Sequence, residues 1–134
     1  MRWRRRRGDI RPRLVLACLL HDASEAYLSD VPRPFKKSMP QYRELEQRLL
    51  DVIYCKYLGS ALSEEEEHLL KVIDNDLLWY DLKELLNEWD GSPEPELKTA
   101  VSYEAVPFRQ VEKTYLEMYE RLKSALCAAE LRGI

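Results

Sequence analysis

Seven apolar residues in a row, Leu14-Val15-Leu16-Ala17-Cys18-Leu19-Leu20, run without a break into His21-Asp22. A helix that covers a core from one side needs only an apolar stripe. A segment that is apolar all round has to lie at the centre of a bundle, with partners on every side. The run is too short to cross a bilayer. It is also short for the apolar region of a secretory signal and lacks a small-residue cleavage site. It therefore predicts a central helix over about residues 13–28, ending in a histidine and an acid.

The rest of the chain supplies the partners. Only 4 of the 134 residues are glycine, and strong helix formers dominate, which points to an all-α fold. Ser29-Asp30-Val31-Pro32-Arg33-Pro34 reads as non-helical, because each proline removes a backbone donor and pushes its predecessor towards extended geometry. Pro40 suits the first turn of a second helix over about 40–58, with Tyr42, Leu45, Leu49, Val52/Ile53 and Tyr57 on its apolar face and Gly59 at its end. Ser63 and Glu66 have capping-box spacing, and the run Glu64–Glu67 suits the positive end of a helix, so these acids read as a solvated helix start. That third helix carries Leu69, Leu70, Ile73, Leu77, Leu78, Leu82 and Leu85/Leu86 and reaches about Trp89. After a loop over 90–106, a last helix starts near Pro107 with Phe108, Val111, Tyr115, Met118/Tyr119, Leu122 and Leu126 along one face. There is no internal repeat and no glycine-rich phosphate loop. The expected architecture is a single helical bundle.

Charge divides the chain. Residues 1–13 hold seven arginines against Asp9, a local balance of +6, so the remainder carries −9 within a net charge of −3. Residues 1–12 read as a disordered Arg-rich leader and 13–134 as the helical domain. The acidic body argues against general nucleic-acid binding, which needs an extended basic surface, although the leader alone could form a nucleic-acid arm. Cys18, Cys55 and Cys127 show no CxxC spacing. Cys18 and Cys55 fall within apolar helical patterns and read as buried free thiols, in keeping with a reducing cytoplasm.

The chemistry gathers at Leu19-Leu20-His21-Asp22-Ala23-Ser24-Glu25. A carboxylate following an apolar run is costly to bury unpaired, and a divalent cation would remove that cost. Glu25 lies three residues after Asp22 and four after His21, on the same helical face. Asp74, amid leucines, is a plausible remote ligand, and Asp81 a supporting acid one turn-pair later. From these residues alone a structural His–Asp pair is the commoner reading, with a metal site as the alternative.

The longer string His21-Asp22-Ala23-Ser24-Glu25-Ala26-Tyr27-Leu28-Ser29-Asp30-Val31-Pro32-Arg33-Pro34-Phe35-Lys36 resembles the HD-superfamily hydrolases related to bacterial 5′-deoxynucleotidases. The likeness extends through residues 40–59, and Asp74 falls where that family has its last metal-ligating aspartate. The resemblance implies an HD-type bundle with His21, Asp22 and Asp74 as metal ligands. It implies Glu25 and Asp30 as the acids handling the proton, and Arg33 and Lys36 as candidates for phosphate contact. The implied reaction is hydrolysis of nucleotides, of the 5′-(deoxy)nucleoside monophosphate class. The mixed imidazole and carboxylate set suits Mn²⁺, Co²⁺, Mg²⁺ or Fe²⁺.

One element of the family pattern is missing. A further ligating histidine is expected upstream, yet residues 1–13 contain none, and His68 lies about 600° of helical turn before Asp74 and reads as a surface residue. The chain thus resembles an HD domain without its first helix, its core partly uncovered, which favours a homo-oligomer, most simply a dimer. The alternative from a different class is a catalytically impaired HD-fold module for binding or oligomerisation.

Overall fold

The structure, a computed structural model, describes residues 11–133. The leader expected over 1–12 lies, for residues 1–10, outside them. Every regular element among the described residues is a helix: α1 (Pro12–Leu20), α2 (Glu25–Leu28), α3 (Arg33–Lys36), α4 (Pro40–Leu58), α5 (Glu64–Leu86) and α6 (Phe108–Arg132). No helix among them is long and apolar enough to cross a membrane.

The apolar run takes the central place. α1 packs against α6, α4 and α5, and its Leu16, Ala17 and Leu20 join Ile53, Tyr54 and Leu58 of α4 in the core. Leu49, Leu50, Leu70, Leu122 and Leu126 pack around this cluster. The core is small. Each fully buried leucine contributes about 2–3 kcal/mol, and α5 and α6 bury no residue completely.

Three expectations about helices in the first half of the chain need correction. The first helix is not continuous over 13–28: it stops at Leu20, passes through a turn at 21–24 and resumes as α2. Here Ala23 N–H donates to Leu20 O at 2.9 Å and Glu25 N–H to Asp22 O at 3.0 Å, the tighter i+3 pattern. The His21 ring also bonds to Cys18 O at 2.7 Å, competing for the acceptor that a continuing α-helix would give to Asp22 N–H. Next, the Pro-rich segment is only half irregular. Pro32 is the N-cap of α3, and Pro34 is tolerated in its first turn, where backbone donors have no intrahelical partner. Finally, α4 is rotated from the expected face. It buries Ile53, Tyr54 and Leu58, while Leu45 and Val52 stand exposed.

The ends of α4 and α5 match their signals. Gly59 adopts φ 86°, the left-handed conformation that glycine takes without strain. Ser63 Oγ accepts from Glu66 N–H at 3.2 Å while Glu66 Oε2 accepts from Ser63 N–H at 3.0 Å, completing the capping box. α5 ends earlier than expected, at Leu86, with Asn87 in the left-handed region. Its anticipated stripe is largely exposed at Ile73, Leu77, Leu85 and Leu86. α6 behaves similarly, with Tyr119, Leu122 and Leu126 packed and Phe108, Val111, Tyr115 and Met118 exposed.

Arg13 makes a junction that its position in the arginine run concealed. Its guanidinium donates to Glu66 Oε1 at 2.8 Å, to Leu58 O at 2.9 Å and to Ala61 O at 2.9 Å. A single side chain of α1 thus caps the carbonyl end of α4 and fastens the start of α5.

Candidate active site

The turn at 21–24 sets the geometry. Ser24 takes the buried position, only 1% exposed, and Asp22 is turned outwards with its side chain 63% exposed. The expectation of a costly buried carboxylate at Asp22 is therefore wrong, because the break after Leu20 rotates it away from the core. The grounds for a cation lie instead in how the charges converge.

His21 is held in one tautomer. Cys18 O can only accept, so the 2.7 Å bond requires the proton on Nδ1 and leaves Nε2 as the outward-facing nitrogen. Nε2 lies 3.2 Å from Asp22 Oδ2 and 3.6 Å from Asp74 Oδ1. Two carboxylate oxygens thus converge on this one nitrogen. α5 carries Asp74 to this point from a distant part of the chain.

Asp74 has a second partner. Its Oδ2 accepts from Arg33 Nη2 at 2.5 Å, and Arg33 Nη1 donates to Asn75 Oδ1 at 2.8 Å. α3 thus presents Arg33 to α5, and the two oxygens of Asp74 are divided between His21 and Arg33. Asn75 was not singled out from the sequence. Its signal there is only adjacency to Asp74.

Glu25 and Asp30 come together on α2 and the following loop, near enough for each carboxyl to act on the other. Burial pushes the Glu25 carboxyl above its ordinary range, and the charges of Asp22 and Asp30 add to that, with Lys36 opposing. Lys36 is not free to point at a ligand as expected: its Nζ donates to Glu46 Oε1 at 2.7 Å and lies 5.6 Å from the Tyr42 ring centroid. Asp81 is likewise drawn elsewhere. It accepts from the Tyr103 hydroxyl at 2.9 Å, and burial together with this bond pushes that phenol up to about 12. His68 is exposed near the start of α5, as read from its helical angle. Cys55 is exposed and Cys18 half-buried, so the buried-thiol expectation fails at Cys55, which lies outside the rotated apolar face of α4.

The donor chemistry at His21, Asp22 and Asp74 fits a divalent cation: a fixed imidazole Nε2 and two carboxylate oxygens, with the far nitrogen anchored to a carbonyl. Among the described residues, however, no group of three or more histidine, cysteine, aspartate or glutamate side chains is gathered closely enough to hold a metal ion as it stands. Asp74 can serve both partners, with Oδ1 towards a cation and Oδ2 towards Arg33.

No protein-family model matches the chain. The chain is similar, at 46% identity over 39 residues, to the uncharacterized protein YfdR of Escherichia coli (strain K12). That stretch is 29% of this chain and 22% of YfdR, so the likeness spans about a fifth of the relative's length. No solved structure matches.

Proposed function

We propose that this protein is an HD-type, metal-dependent phosphohydrolase acting on 5′-(deoxy)nucleoside monophosphates. The observation that carries the reading is the placement of Asp74 across from His21 Nε2, 3.6 Å away, beside Asp22 at 3.2 Å. The HD-like string over residues 21–36 supports it.

His21, Asp22 and Asp74 would hold the metal, which when bound supplies Lewis-acid charge at the phosphate and a more acidic water. Arg33, held by Asp74 and Asn75, brings a positive charge to the same point, which favours a phosphate beside it. Glu25 retains a proton to higher pH than an ordinary glutamate, which suits it to protonate the departing oxygen. Asp30, beside it, accepts the proton from the attacking water. Lys36, bound to Glu46, moderates the negative potential around these acids and is not placed to grip phosphate directly.

The test is phosphate release from a panel of 5′-deoxynucleoside monophosphates with Mn²⁺ or Co²⁺. The expected result is metal-dependent turnover that disappears in Asp22→Ala. Absence of release from every nucleotide with either metal overturns the hydrolase reading. Stable dimers in that same sample would favour the second reading, an HD-fold oligomerisation module with impaired catalysis, for which the exposed apolar residues of α5 and α6 speak.

A further inference from the structure

Beside the carboxylate cluster lies an open groove of about 400 Å³, within the size range of small-molecule sites. Arg33 and Asn75 form its boundary with the Asp74 region, and Leu78, Trp79, Trp89 and Glu88 are among the other residues that line it. We propose that this groove seats the heteroaromatic base of the nucleotide, stacked on Trp89, with the 5′-phosphate directed past Arg33 to His21 and Asp74. The assignment rests on the hydrolase reading for the phosphate end, and on the groove itself for the base end.

Three observations favour a flat, aromatic ligand. First, the indoles are fixed by one loop: Trp79 Nε1 donates to Ser92 Oγ at 3.1 Å and Trp89 Nε1 to Ser92 O at 2.8 Å. Ser92 is in turn held by Asp90 Oδ1, which accepts its N–H at 2.9 Å. With its polar edge satisfied, Trp89 is left to act through its π face, which stacks on any base, whereas Trp79 already holds the Lys83 ammonium 4.9 Å from its ring centroid and serves as wall. Second, Trp89 is 67% exposed although it is a large apolar side chain, and it lines a concave surface. Such a residue has much apolar area to gain by being covered.

The third observation is the groove's polarity. Arg33, which lines the groove, is bound to Asp74, while Glu88 and Asp90 line it on either side of Trp89 in the chain, with Asp90 Oδ1 accepting from Ser92 N–H. A phosphate is repelled from these two carboxylates and drawn to Arg33. The amino group of a base, by contrast, can donate to those carboxylates. The ligand is thereby oriented in one direction.

The test uses the full chain without added metal and two partial ligands, measured by isothermal titration. Deoxyadenosine has the base but no phosphate; 2-deoxyribose 5-phosphate has the phosphate but no base. Deoxyadenosine affinity is expected to fall about 10- to 100-fold in Trp89→Ala, the loss typical of one stacking ring, and to recover largely in Trp89→Phe. Affinity for 2-deoxyribose 5-phosphate is expected to be the same in all three proteins. The base site is overturned if wild type does not bind deoxyadenosine, or if Trp89→Ala binds it equally well. It is also overturned if the sugar phosphate is lost in parallel, since Trp89 would then support the fold. These outcomes stand apart from phosphate release: Trp89-dependent deoxyadenosine binding without any nucleotide hydrolysis overturns the hydrolase reading and upholds the groove.

Discussion

Replacing Asp74 by asparagine is expected to lower phosphate release from a 5′-deoxynucleoside monophosphate by about 10²- to 10³-fold, the scale set by losing one well-placed electrostatic group. The substitution keeps size and an oxygen able to accept from Arg33. It removes the negative charge facing His21 Nε2. Asp74 is 38% exposed and its partner Arg33 52%, so the lost ion pair should cost the fold about 1 kcal/mol or less. Steady-state kinetics and thermal unfolding on one preparation separate the two effects. A large loss of kcat with little change in Tm is the expected pattern. Unchanged kcat would remove Asp74 from the reacting centre.

The second large effect concerns stability and comes from Arg13→Ala. Removing this guanidinium leaves Glu66 without its cation and frees the carbonyls of Leu58 and Ala61 at the junction of α4 and α5. The pair is mostly shielded, with side-chain exposures of 24% and 17%, so the expected cost is about 2–3 kcal/mol. That corresponds to a fall in Tm of about 5–15 °C. Its pH dependence has a definite sign. The Arg13 hydrogen bond, more than the Ser63 bonds, holds the Glu66 carboxyl below its ordinary range, against the opposing effect of burial. The contribution is therefore present above the ordinary glutamate pKa and is lost as pH falls through the lower folded value. Wild type and Arg13→Ala should accordingly differ most near neutral pH and converge in acid. Equal stability at neutral pH would show that this junction is not a fastening point.

The parts of the fold legible in the sequence are those governed by neighbours. Pro40, Gly59, Ser63 and Glu66 mark helix ends through local backbone chemistry, and each marks an observed end. Leu14 to Leu20 announced a central helix because an all-round apolar segment has few other places to go, and Leu16 and Ala17 are indeed fully buried. What stayed hidden depends on tertiary partners. The helix break at His21 involves a side chain taking Cys18 O, which periodicity does not register. The 49–58 face of α4 turned because Tyr54 and Leu58 meet α1, a choice that several registers of the same apolar residues would allow. Arg13 looked like the last of a string of arginines until the folded chain gave it carbonyls to cap.

The site divides in the same way. Residues 21–36 are close in sequence, so the clustering of Asp22, Glu25 and Asp30 could be anticipated. Asp74 was singled out by its setting among leucines and by the family likeness, and the structure brings it to His21. The division of Asp74 between His21 and Arg33, the capture of Lys36 by Glu46, and the Trp79–Trp89 groove all require elements far apart in the chain to meet. Asp22 is exposed rather than buried for a related reason: burial depends on where a helix stops, and α1 stops at Leu20, just before His21.

The most direct test of the metal-centred reading is a titration of the purified chain with Mn²⁺, following the free ion by electron paramagnetic resonance. The expected result is one bound Mn²⁺ per chain, with affinity reduced at least about tenfold in each of His21→Ala, Asp22→Ala and Asp74→Asn. No bound Mn²⁺, or binding that all three variants leave unchanged, would contradict it.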